Sequence, residues 1–298
     1  MKWVLAWLLL GTSLLAAPLT VATYNLELYA NTPTFGVPPK STEARQLVRE
    51  SIRRLNADVI ALQELGSLEA LLELQKSLKN EGINYRYSDF VQGNDPNLHL
   101  GFLSKLPIVT RRPHTNESFL HAGKRFRVSR GFAEVEVAAG AHRLTFIAAH
   151  LKSRRQVSEG DQQSLREAEA AVLREKVDEF FKREPNGKLI VLGDLNDDIS
   201  SKTLRTIIGR GRTRLFDPRP AERNGDTHPH QDPRYEPRRI LWTHYFGKEE
   251  SYSRVDYILL SPNLRDAVDP AGTSVLAMPD WGTASDHRPV CVRLRLSD

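Results

Sequence analysis

The residues of this 298-residue chain that could support chemistry follow short apolar runs. The clearest case is the stretch KLIVLGDLNDD at residues 188–198, where residues 189–192 suit a strand buried on both faces. Gly193 would let the backbone turn, and Asp194 and Asn196, two positions apart, would then share one face. Because Asp and Asn are also common in turns after strands, this stretch alone leaves both turn formation and catalysis open.

Other polar residues occupy similar places in the sequence. They are Asn25 after LTVATY, Glu64 after DVIALQ, His150 after LTFIAA, Asp256 within RVDYILL, and the pair Asp286-His287 before the last apolar run. Each has a simple alternative, since Asp256 could pair with Arg254, Asp286 could form a turn and His150 could be a core histidine. Their joint occurrence favours an active site, because sheet folds build such sites from side chains at strand ends along one edge.

These residue types support a narrow chemistry. Glu64 and Asp286 offer the hard oxygen ligands that suit Mg²⁺ or Mn²⁺, and Asn25 can add a neutral oxygen. The sequence contains neither a CxxC nor an HExxH pattern, so it gives no support for a zinc site of those classes. His150 and His287 supply acid–base groups near neutral pH. We therefore predict phosphate ester hydrolysis with a divalent cation.

The apolar periodicity predicts the elements that would position these residues. Besides residues 189–192, strands are predicted at residues 19–25, 58–63, 85–91, 98–104, 131–137, 144–149, 241–246, 255–260 and 290–296. Helices are predicted after a cap at Ser41 or Thr42, from a cap at Ser67 to about Asn80, and over residues 161–183 and 203–209. A long loop rich in Arg, Pro and His is expected at residues 210–237. Because no linker divides the sequence, residues 18–298 are expected to form one catalytic domain.

The N-terminal segment has the pattern of a signal peptide. Residues 1–17 combine Lys2, an apolar run and the small residues Ala16 and Ala17, and the run is too short to span a bilayer comfortably. An uncleaved anchor or a first buried strand is the alternative. We expect an exported protein, secreted or periplasmic, with no stable membrane insertion after cleavage. The one cysteine, Cys291, rules out an intrachain disulfide and is expected to be buried.

The composition indicates a soluble globular protein with a basic surface. Hydrophobic residues make up 40% and charged residues 27% of the chain, and the formal net charge of +5 becomes +4 when Lys2 leaves with the signal segment. A basic surface favours a polyanionic partner, which leaves nucleic acids, phospholipid headgroups and other phosphoesters open. The sequence does not determine the oligomeric state, and a monomer is assumed.

Six motifs occur in an order that resembles the endonuclease/exonuclease/phosphatase (DNase I-like) superfamily. They are YN at Tyr24-Asn25, LQE ending at Glu64, AHLKS around His150, GDLN from Gly193 to Asn196, RVDYIL around Asp256, and SDH ending at His287. The resemblance extends over essentially the whole mature chain. It implies an α/β fold of four layers, an α/β/β/α sandwich in which two mixed β-sheets lie face to face with helices outside.

The resemblance also implies roles for the oxygen-bearing residues. Glu64 would bind Mg²⁺ or Mn²⁺, with Asn25 and Asp286 nearby. Asp194 and Asn196 would position the attacking water and a phosphate oxygen.

For the histidines, the resemblance implies acid–base or charge-stabilising roles. His287, oriented by Asp256, would take a proton from water or hold the phosphate. His150 would stabilise the developing phosphorane charge or assist the leaving group. Either Asp194 or His287 would be the general base.

Flanking residues favour a nucleic acid among the superfamily's substrates. The expected substrate-binding residues are Lys152, Arg154 and Arg155 after His150, Arg127 and Arg130 in an arginine-rich segment, and Trp242 as a stacking surface. The sequence lacks the disulfides of secreted DNase I, carries His150 where abasic-site repair enzymes have tyrosine, and shows no clear apolar hairpin of the sphingomyelinase kind. A nuclease is therefore predicted. The alternatives are a phosphatase or phospholipase C-type hydrolase, and a catalytically silent nucleic-acid-binding module.

Overall fold

The computed structural model describes residues 18–154, 161–223 and 239–297. The helices within these residues are α1 (Thr42–Leu55), α2 (Leu68–Asn80), α3 (Gln162–Arg183), α4 (Lys202–Ile208) and α5 (Trp281–Ala284). The strands are β1 (Leu19–Tyr29), β2 (Val59–Leu65), β3 (Tyr87–Val91), β4 (His99–Ser104), β5 (Ile108–His114), β6 (Ser118–His121), β7 (Lys124–Arg127), β8 (Phe132–Ala139), β9 (His142–His150), β10 (Lys188–Asp194), β11 (His244–Phe246), β12 (Ser251–Ser253), β13 (Asp256–Leu260), β14 (Val268–Val275) and β15 (Val290–Leu294). None of the described helices is long and apolar enough to cross a membrane.

Two mixed sheets form the centre of the molecule. One has the strand order β14-β15-β1-β2-β4-β3 and the other β13-β10-β9-β8-β5. Within them, β1 and β2 are parallel, as are β9 and β10, and the other neighbours are antiparallel. Helices connect the parallel strands, as parallel pairing requires.

The apolar side chains divide into three buried groups that define four layers. The central group joins the two sheets and includes Val21 and Phe102 from one and Phe146 from the other. The second packs α3 and α4 on the outer face of the five-stranded sheet, and the third packs α1 and α2 on the outer face of the six-stranded sheet. This arrangement is the α/β/β/α sandwich expected from the sequence.

The predicted helix starts are confirmed by hydrogen bonds at their caps. Ser41 Oγ accepts from the Ala44 N–H, Ser67 Oγ from Ala70, and Asp161 from Ser164. Each cap satisfies a backbone donor that the first turn leaves free.

Several elements were not predicted, and most of them lie at sheet edges or in small hairpins. They are β5, β6, β7, β12, β14 and α5. The sequence shows no clear apolar hairpin, and the structure adds a small one: β6 and β7 pair, Phe119 and Phe126 stack at 5.9 Å between ring centroids, and Phe119 packs against the core. Leu120 on this hairpin is 69% exposed. Basic residues at positions 124, 125 and 127 surround Phe126, so no apolar run marks this hairpin in the sequence.

Gly193 lies inside a strand, so the prediction that it begins a turn was wrong. It pairs with Ala149 on β9 and with Tyr257 on β13, and β10 continues to Asp194. Its φ is +133°, and a Cβ at this position would lie 1.9 Å from the Ala149 carbonyl oxygen. Only glycine allows the two strands to approach this closely.

Candidate active site

The strand directions bring most of the predicted site residues to one edge of the sandwich. The parallel pair β1–β2 carries Asn25 and Glu64 towards this edge, and the parallel pair β9–β10 carries His150 and Asp194 there. Asp256 begins β13 instead of ending a strand, but β13 is antiparallel to β10 and places it opposite Asp194. The two sheets therefore contribute to a single cluster at strand ends.

Asp194 is buried and accepts hydrogen bonds from both sides of the cluster. Asn25 Nδ2 on the six-stranded sheet donates to Asp194 Oδ2 at 3.0 Å. Asn196 donates from its backbone N–H to Oδ1 at 2.9 Å and from Nδ2 to Oδ2 at 3.2 Å. Burial is the largest influence on the pKa of Asp194 and raises it, although the positive charge of His287 opposes this effect.

Asn196 reaches Asp194 through an unusual backbone conformation. The residue has a φ of +54°, so the two side chains do not converge along an extended segment as the sequence suggested. Its Nδ2 also donates to the Leu151 carbonyl at 3.0 Å. Left-handed conformations of this kind are common at functional sites, where surrounding contacts hold them in place.

Glu64 is fixed by two neighbours on β1. Its Oε2 accepts from the Leu28 N–H at 3.0 Å, and its Oε1 lies 3.4 Å from Asn25 Nδ2. Glu64 and Leu28 have φ values of +63° and +55°, and the β1–β2 pairing shifts between Asn25 and Tyr29. This irregularity turns the Glu64 carboxylate towards the cluster instead of continuing the regular strand alternation.

His287 is held by Asp256. Its Nδ1 lies 2.8 Å from Asp256 Oδ2, and its Nε2 lies 3.8 Å from Asp194 Oδ2. Burial alone would lower the pKa of His287, but the negative charges of Asp256 and Asp194 outweigh burial and raise it well above the ordinary value. The imidazole is therefore cationic at neutral pH in the metal-free protein. Arg254 instead pairs with Asp217 at 2.7 Å, so the alternative Asp256–Arg254 pair does not form.

His150 is also buried but remains neutral. Its Nε2 lies 3.5 Å from Asp194 Oδ2 and 3.9 Å from Glu64 Oε1. Burial lowers the pKa of His150 well below the ordinary value, and the positive charges of Arg130 and His287 lower it further. At the same pH, His150 is therefore a neutral hydrogen-bond donor or acceptor, whereas His287 is a cation.

Asp286 lies at the open side of the cluster, close to His244. The distance from Asp286 Oδ2 to His244 Nε2 is 3.5 Å, and the distance from Asp286 Oδ1 to His287 Nε2 is 3.8 Å. Burial raises the pKa of Asp286, but the hydrogen bond from His244 and the charges of both histidines outweigh it, so the net shift is downward. Burial raises the pKa of nearby Glu27, and the negative charge of Asp286 raises it further.

The donor chemistry fits a divalent cation. Besides burial, the negative charges of Asp286 and Glu64 both raise the pKa of Glu27, which pairs with Lys40 at 3.5 Å, whereas among the described residues neither Glu64 nor Asp286 pairs with Lys or Arg. Hard oxygen donors in excess over cations are what Mg²⁺ and Mn²⁺ require. Asn25 departs from the expected ligand role, because its Oδ1 accepts from the Glu27 N–H at 3.0 Å and its Nδ2 faces Glu64.

Sequence reasoning missed two hydroxyl residues that orient this cluster. Thr243 Oγ1 accepts from the backbone N–H groups of Val255 and Asp256, both at 3.1 Å. Ser285 Oγ donates to the Asn25 carbonyl at 2.8 Å and accepts from the His287 N–H at 3.0 Å. Ser285 belongs to the SDH motif, which was a usable signal, whereas nothing in the sequence around Thr243 indicates its role.

Buried Glu169 on α3 joins the two cationic segments. It accepts from the Ser129 N–H at 2.8 Å and from the Lys152 N–H at 2.7 Å. Arg130 is buried and lies 3.4 Å from Asp95, while its Nη1 has no hydrogen-bond partner among the described residues. Glu169 thus links the two backbone segments that carry Arg130 and Lys152, and the positive charge of Arg130 acts on His150.

The remaining predicted substrate-binding residues have different surroundings. Arg154 donates to the Asn196 carbonyl at 3.2 Å and lies 3.7 Å from Asp197, which also pairs with buried Arg166. Arg127 is exposed on the β6–β7 hairpin. Arg155 lies outside the described residues.

Trp242 belongs to an aromatic cluster rather than to this cationic group. Arg288 lies over its ring at 4.0 Å, and Tyr252 and Trp281 lie within 5.1 Å of it between centroids. Tyr252 is 59% exposed, which makes it a more accessible stacking surface than Trp242.

Comparison with known proteins gives results consistent with this geometry. The sequence matches the model of the Endonuclease/Exonuclease/phosphatase family over residues 22–287. No curated protein is similar enough in sequence to match the chain.

Solved structures with the same architecture have low sequence identity to this chain. The catalytic domain of human nocturnin with bound sulfate has 16% identity and a TM-score of 0.64, with 93% of each chain covered. A mannosyl-6-phosphatase from Bacteroides thetaiotaomicron has 18% identity and a TM-score of 0.61, covering 93% of this chain and 100% of that one. Sphingomyelinase C from Streptomyces griseocarneus has 19% identity and a TM-score of 0.61, covering 93% and 99%. These likenesses confirm the fold.

Proposed function

The chain belongs to the endonuclease/exonuclease/phosphatase family of metal-dependent phosphoric ester hydrolases, and we propose that it is a phosphodiesterase that cleaves nucleic acid. The observation that carries this proposal is the convergence of both sheets on Asp194. Its carboxylate is within hydrogen-bonding distance of Asn25 and Asn196, with His150 and His287 at 3.5 and 3.8 Å. Such a cluster places acid–base groups and hydrogen-bond donors around one reacting centre.

The protein side of the reaction requires a group that accepts a proton and groups that offset negative charge. In-line attack on a phosphodiester builds charge on the non-bridging and leaving oxygens. Cationic His287 can stabilise this charge or hold the phosphate, and neutral His150 can donate to an oxygen. Asp194 can orient and deprotonate the attacking water.

We propose that the metal is Mg²⁺ or Mn²⁺ and that Glu64 and Asp286 hold it. When bound, the ion would supply Lewis-acid stabilisation of a phosphate oxygen. Asn25 would join as a ligand only after its amide turns, because Nδ2 now faces Glu64.

The preference for nucleic acid rests on the cations beside His150. Glu169 accepts from the backbone N–H groups of Lys152 and of Ser129, which precedes buried Arg130, and exposed Arg127 lies on the hairpin just before this segment. A row of cations near a phosphodiester site fits a polymer backbone better than a single small phosphate ester.

A lipid phosphate ester is the second candidate, and the β6–β7 hairpin favours it. Leu120 on this hairpin is 69% exposed, whereas Phe119 stacks on Phe126 and packs against the core beneath it. An exposed leucine with the exposed cations Lys124 and Arg127 on the same hairpin suits contact with an anionic lipid interface.

One experiment separates these candidates. The purified mature protein is incubated with DNA, RNA, sphingomyelin and inositol phosphates in Mg²⁺, Mn²⁺ or EDTA. Cleavage of DNA or RNA that EDTA abolishes supports the nuclease, whereas turnover of sphingomyelin or an inositol phosphate with intact nucleic acid supports the second candidate. Binding of nucleic acid without turnover of any substrate would indicate a catalytically silent binding module.

We further propose that the chain is exported with cleavage after residue 16 or 17 and acts as a monomer. The support is the apolar run that ends just before β1 starts at Leu19. N-terminal sequencing of protein recovered outside the cytoplasm tests the export, and sedimentation tests the monomer.

A further inference from the structure

His244 lies beside the candidate active site, and nothing in the sequence marked it as functional. Its Nε2 is 3.5 Å from Asp286 Oδ2, and its ring centroid is 4.5 Å from that of His287. One ligand atom from each of His244, Asp286 and His287 lies within 4.8 Å of the other two. Ligand atoms of a tetrahedral Zn²⁺ ion are about 3.3 Å apart, given bonds of about 2.0 to 2.1 Å, so small side-chain movements would bring the three together.

Both imidazoles present the same nitrogen to this space because the other nitrogen is occupied. His287 Nδ1 lies 2.8 Å from Asp256 Oδ2, and His244 Nδ1 lies 3.4 Å from Ser253 Oγ. In metal sites, a hydrogen bond to one imidazole nitrogen fixes the ring and directs the other nitrogen at the ion. Both Nε2 atoms therefore have the orientation of metal ligands.

The backbone holds the three residues in register. His244 and His287 form an antiparallel bridge, and the Tyr245 N–H donates to the Asp286 carbonyl at 3.0 Å. The Arg288 N–H donates to the Thr243 carbonyl at 2.6 Å, which continues the pairing on the other side. The ligands thus lie on two hydrogen-bonded segments and not on independent loops.

From this arrangement we propose that His244, Asp286 and His287 bind a transition-metal ion of the Zn²⁺ class, at a site that shares Asp286 with the oxygen site around Glu64 and differs from it in its two imidazole donors. Two imidazole nitrogens and one carboxylate suit Zn²⁺, Co²⁺ or Ni²⁺, whereas Mg²⁺ prefers oxygen alone. Among the described residues, Glu64 does not belong to any group of three or more His, Cys, Asp or Glu residues whose ligand atoms lie within 4.8 Å of one another.

Occupation of this site would oppose the proposed hydrolysis. A Zn²⁺ ion held by His287 and Asp286 displaces the Nε2 proton of His287 to solvent, and it removes one acid–base group and one Mg²⁺ ligand from the reaction. Micromolar Zn²⁺ is therefore expected to inhibit the Mg²⁺-supported enzyme, and this consequence rests on the proposed function, whereas the metal binding itself does not.

The binding test uses Co²⁺ without substrate. Wild-type protein, His244→Gln, His244→Asn and the control His121→Gln, which alters a histidine on the β6–β7 hairpin, are titrated with Co²⁺ and followed by visible absorption. Near-native circular dichroism is required of each variant. Wild type and His121→Gln are expected to bind one Co²⁺ with the intense absorption of a low-coordinate nitrogen site, and both His244 variants to bind at least about tenfold more weakly.

Two results would overturn the proposal. One is wild-type protein that shows no such absorption, and the other is a folded His244 variant that binds Co²⁺ with wild-type affinity and spectrum. Zn²⁺ inhibition is then measured for each protein relative to its own zinc-free rate. If the chain proves inactive on every substrate, the Co²⁺ titration still decides the site.

Discussion

The different charge states of His150, which is neutral, and His287, which is cationic, are the most informative feature at the scale of single residues. The two rings approach the same carboxylate, Asp194, at 3.5 and 3.8 Å. Only His287 has a direct acidic partner on its second nitrogen, Asp256, and that contact decides which imidazole keeps its proton. At one pH, His287 can therefore act as a cation while His150 acts as a neutral hydrogen-bond donor.

His287 should stabilise the metal-free protein in a pH-dependent way. Its folded pKa is raised above the unfolded value of about 6.5, so its stabilisation is complete below that pH and is lost as the pH rises through the folded pKa. Wild type should therefore exceed His287→Gln in unfolding free energy by about 1 to 3 kcal/mol at pH 6, with a smaller difference at pH 10. Urea denaturation in EDTA measures both, and a difference that grows with pH would contradict this charge assignment.

Glu64→Gln should weaken metal use more than folding. The amide keeps one oxygen to accept from the Leu28 N–H but lacks the charge that attracts a divalent ion. We expect the Mg²⁺ concentration for half-maximal activity to rise at least about tenfold, with a decrease in maximal rate of about 10²-fold or more. Activity titrated against Mg²⁺ measures both values. The control variant is Glu50→Gln, which alters a partly exposed carboxylate on α1 that pairs with Arg53. Unchanged metal dependence in Glu64→Gln would exclude Glu64 as a ligand.

At the scale of elements, the close approach of β9 and β10 determines where His150 and Asp194 lie. A Cβ on Gly193 would meet the Ala149 carbonyl oxygen, and the backbone there has a φ of +133°. Gly193→Ala should therefore destabilise the protein by at least about 3 kcal/mol. Gly140→Ala is the matched control, because Gly140 also has a positive φ but open space around it, and its cost should be about 1 to 2 kcal/mol. Thermal unfolding measures the loss of stability in both variants. Equal losses would show that the close approach of β9 and β10 is not what requires glycine at position 193.

The sequence could predict the elements whose signals are local. Caps such as Ser41 and Ser67 and the apolar run before Asp194 identify helices and buried strands without knowledge of their neighbours. The resemblance implied the four-layered sandwich, and the polar residues that follow several apolar runs predicted the shared edge. The role of Thr243 could not be predicted, because it depends on backbone donors twelve and thirteen residues away.

The role of Glu169 also depends on partners that are distant in the sequence, and the distances are longer than for Thr243. It lies in α3 yet accepts from Ser129 and Lys152, forty and seventeen residues away. The sequence predicts His244 only as a strand residue, because its contact with Asp286 arises when the β11 segment pairs with the segment before β15. Contacts created by tertiary pairing leave no local pattern.

At the scale of the whole molecule, the basic charge should make nucleic-acid cleavage sensitive to salt. Neutralised phosphates release counterions, so the logarithm of affinity falls linearly with the logarithm of salt concentration. Lys152→Ala and Arg127→Ala should each reduce the slope by about 1, while Lys79→Ala at the end of α2 should leave it unchanged. KM measured from 50 to 200 mM NaCl provides the slopes. Identical slopes in all four proteins would remove Lys152 and Arg127 from the substrate path.

The central claim, a metal-dependent phosphodiester site centred on Asp194, is tested most directly by one assay. Wild-type protein and Asp194→Ala, each shown to be folded, are incubated with single- and double-stranded DNA and RNA in Mg²⁺ and in EDTA. We predict that wild type cleaves at least one of these substrates in Mg²⁺ and none in EDTA, and that Asp194→Ala is slower by about 10³-fold or more. Cleavage by Asp194→Ala at the wild-type rate, or by wild type at full rate in EDTA, would contradict the account.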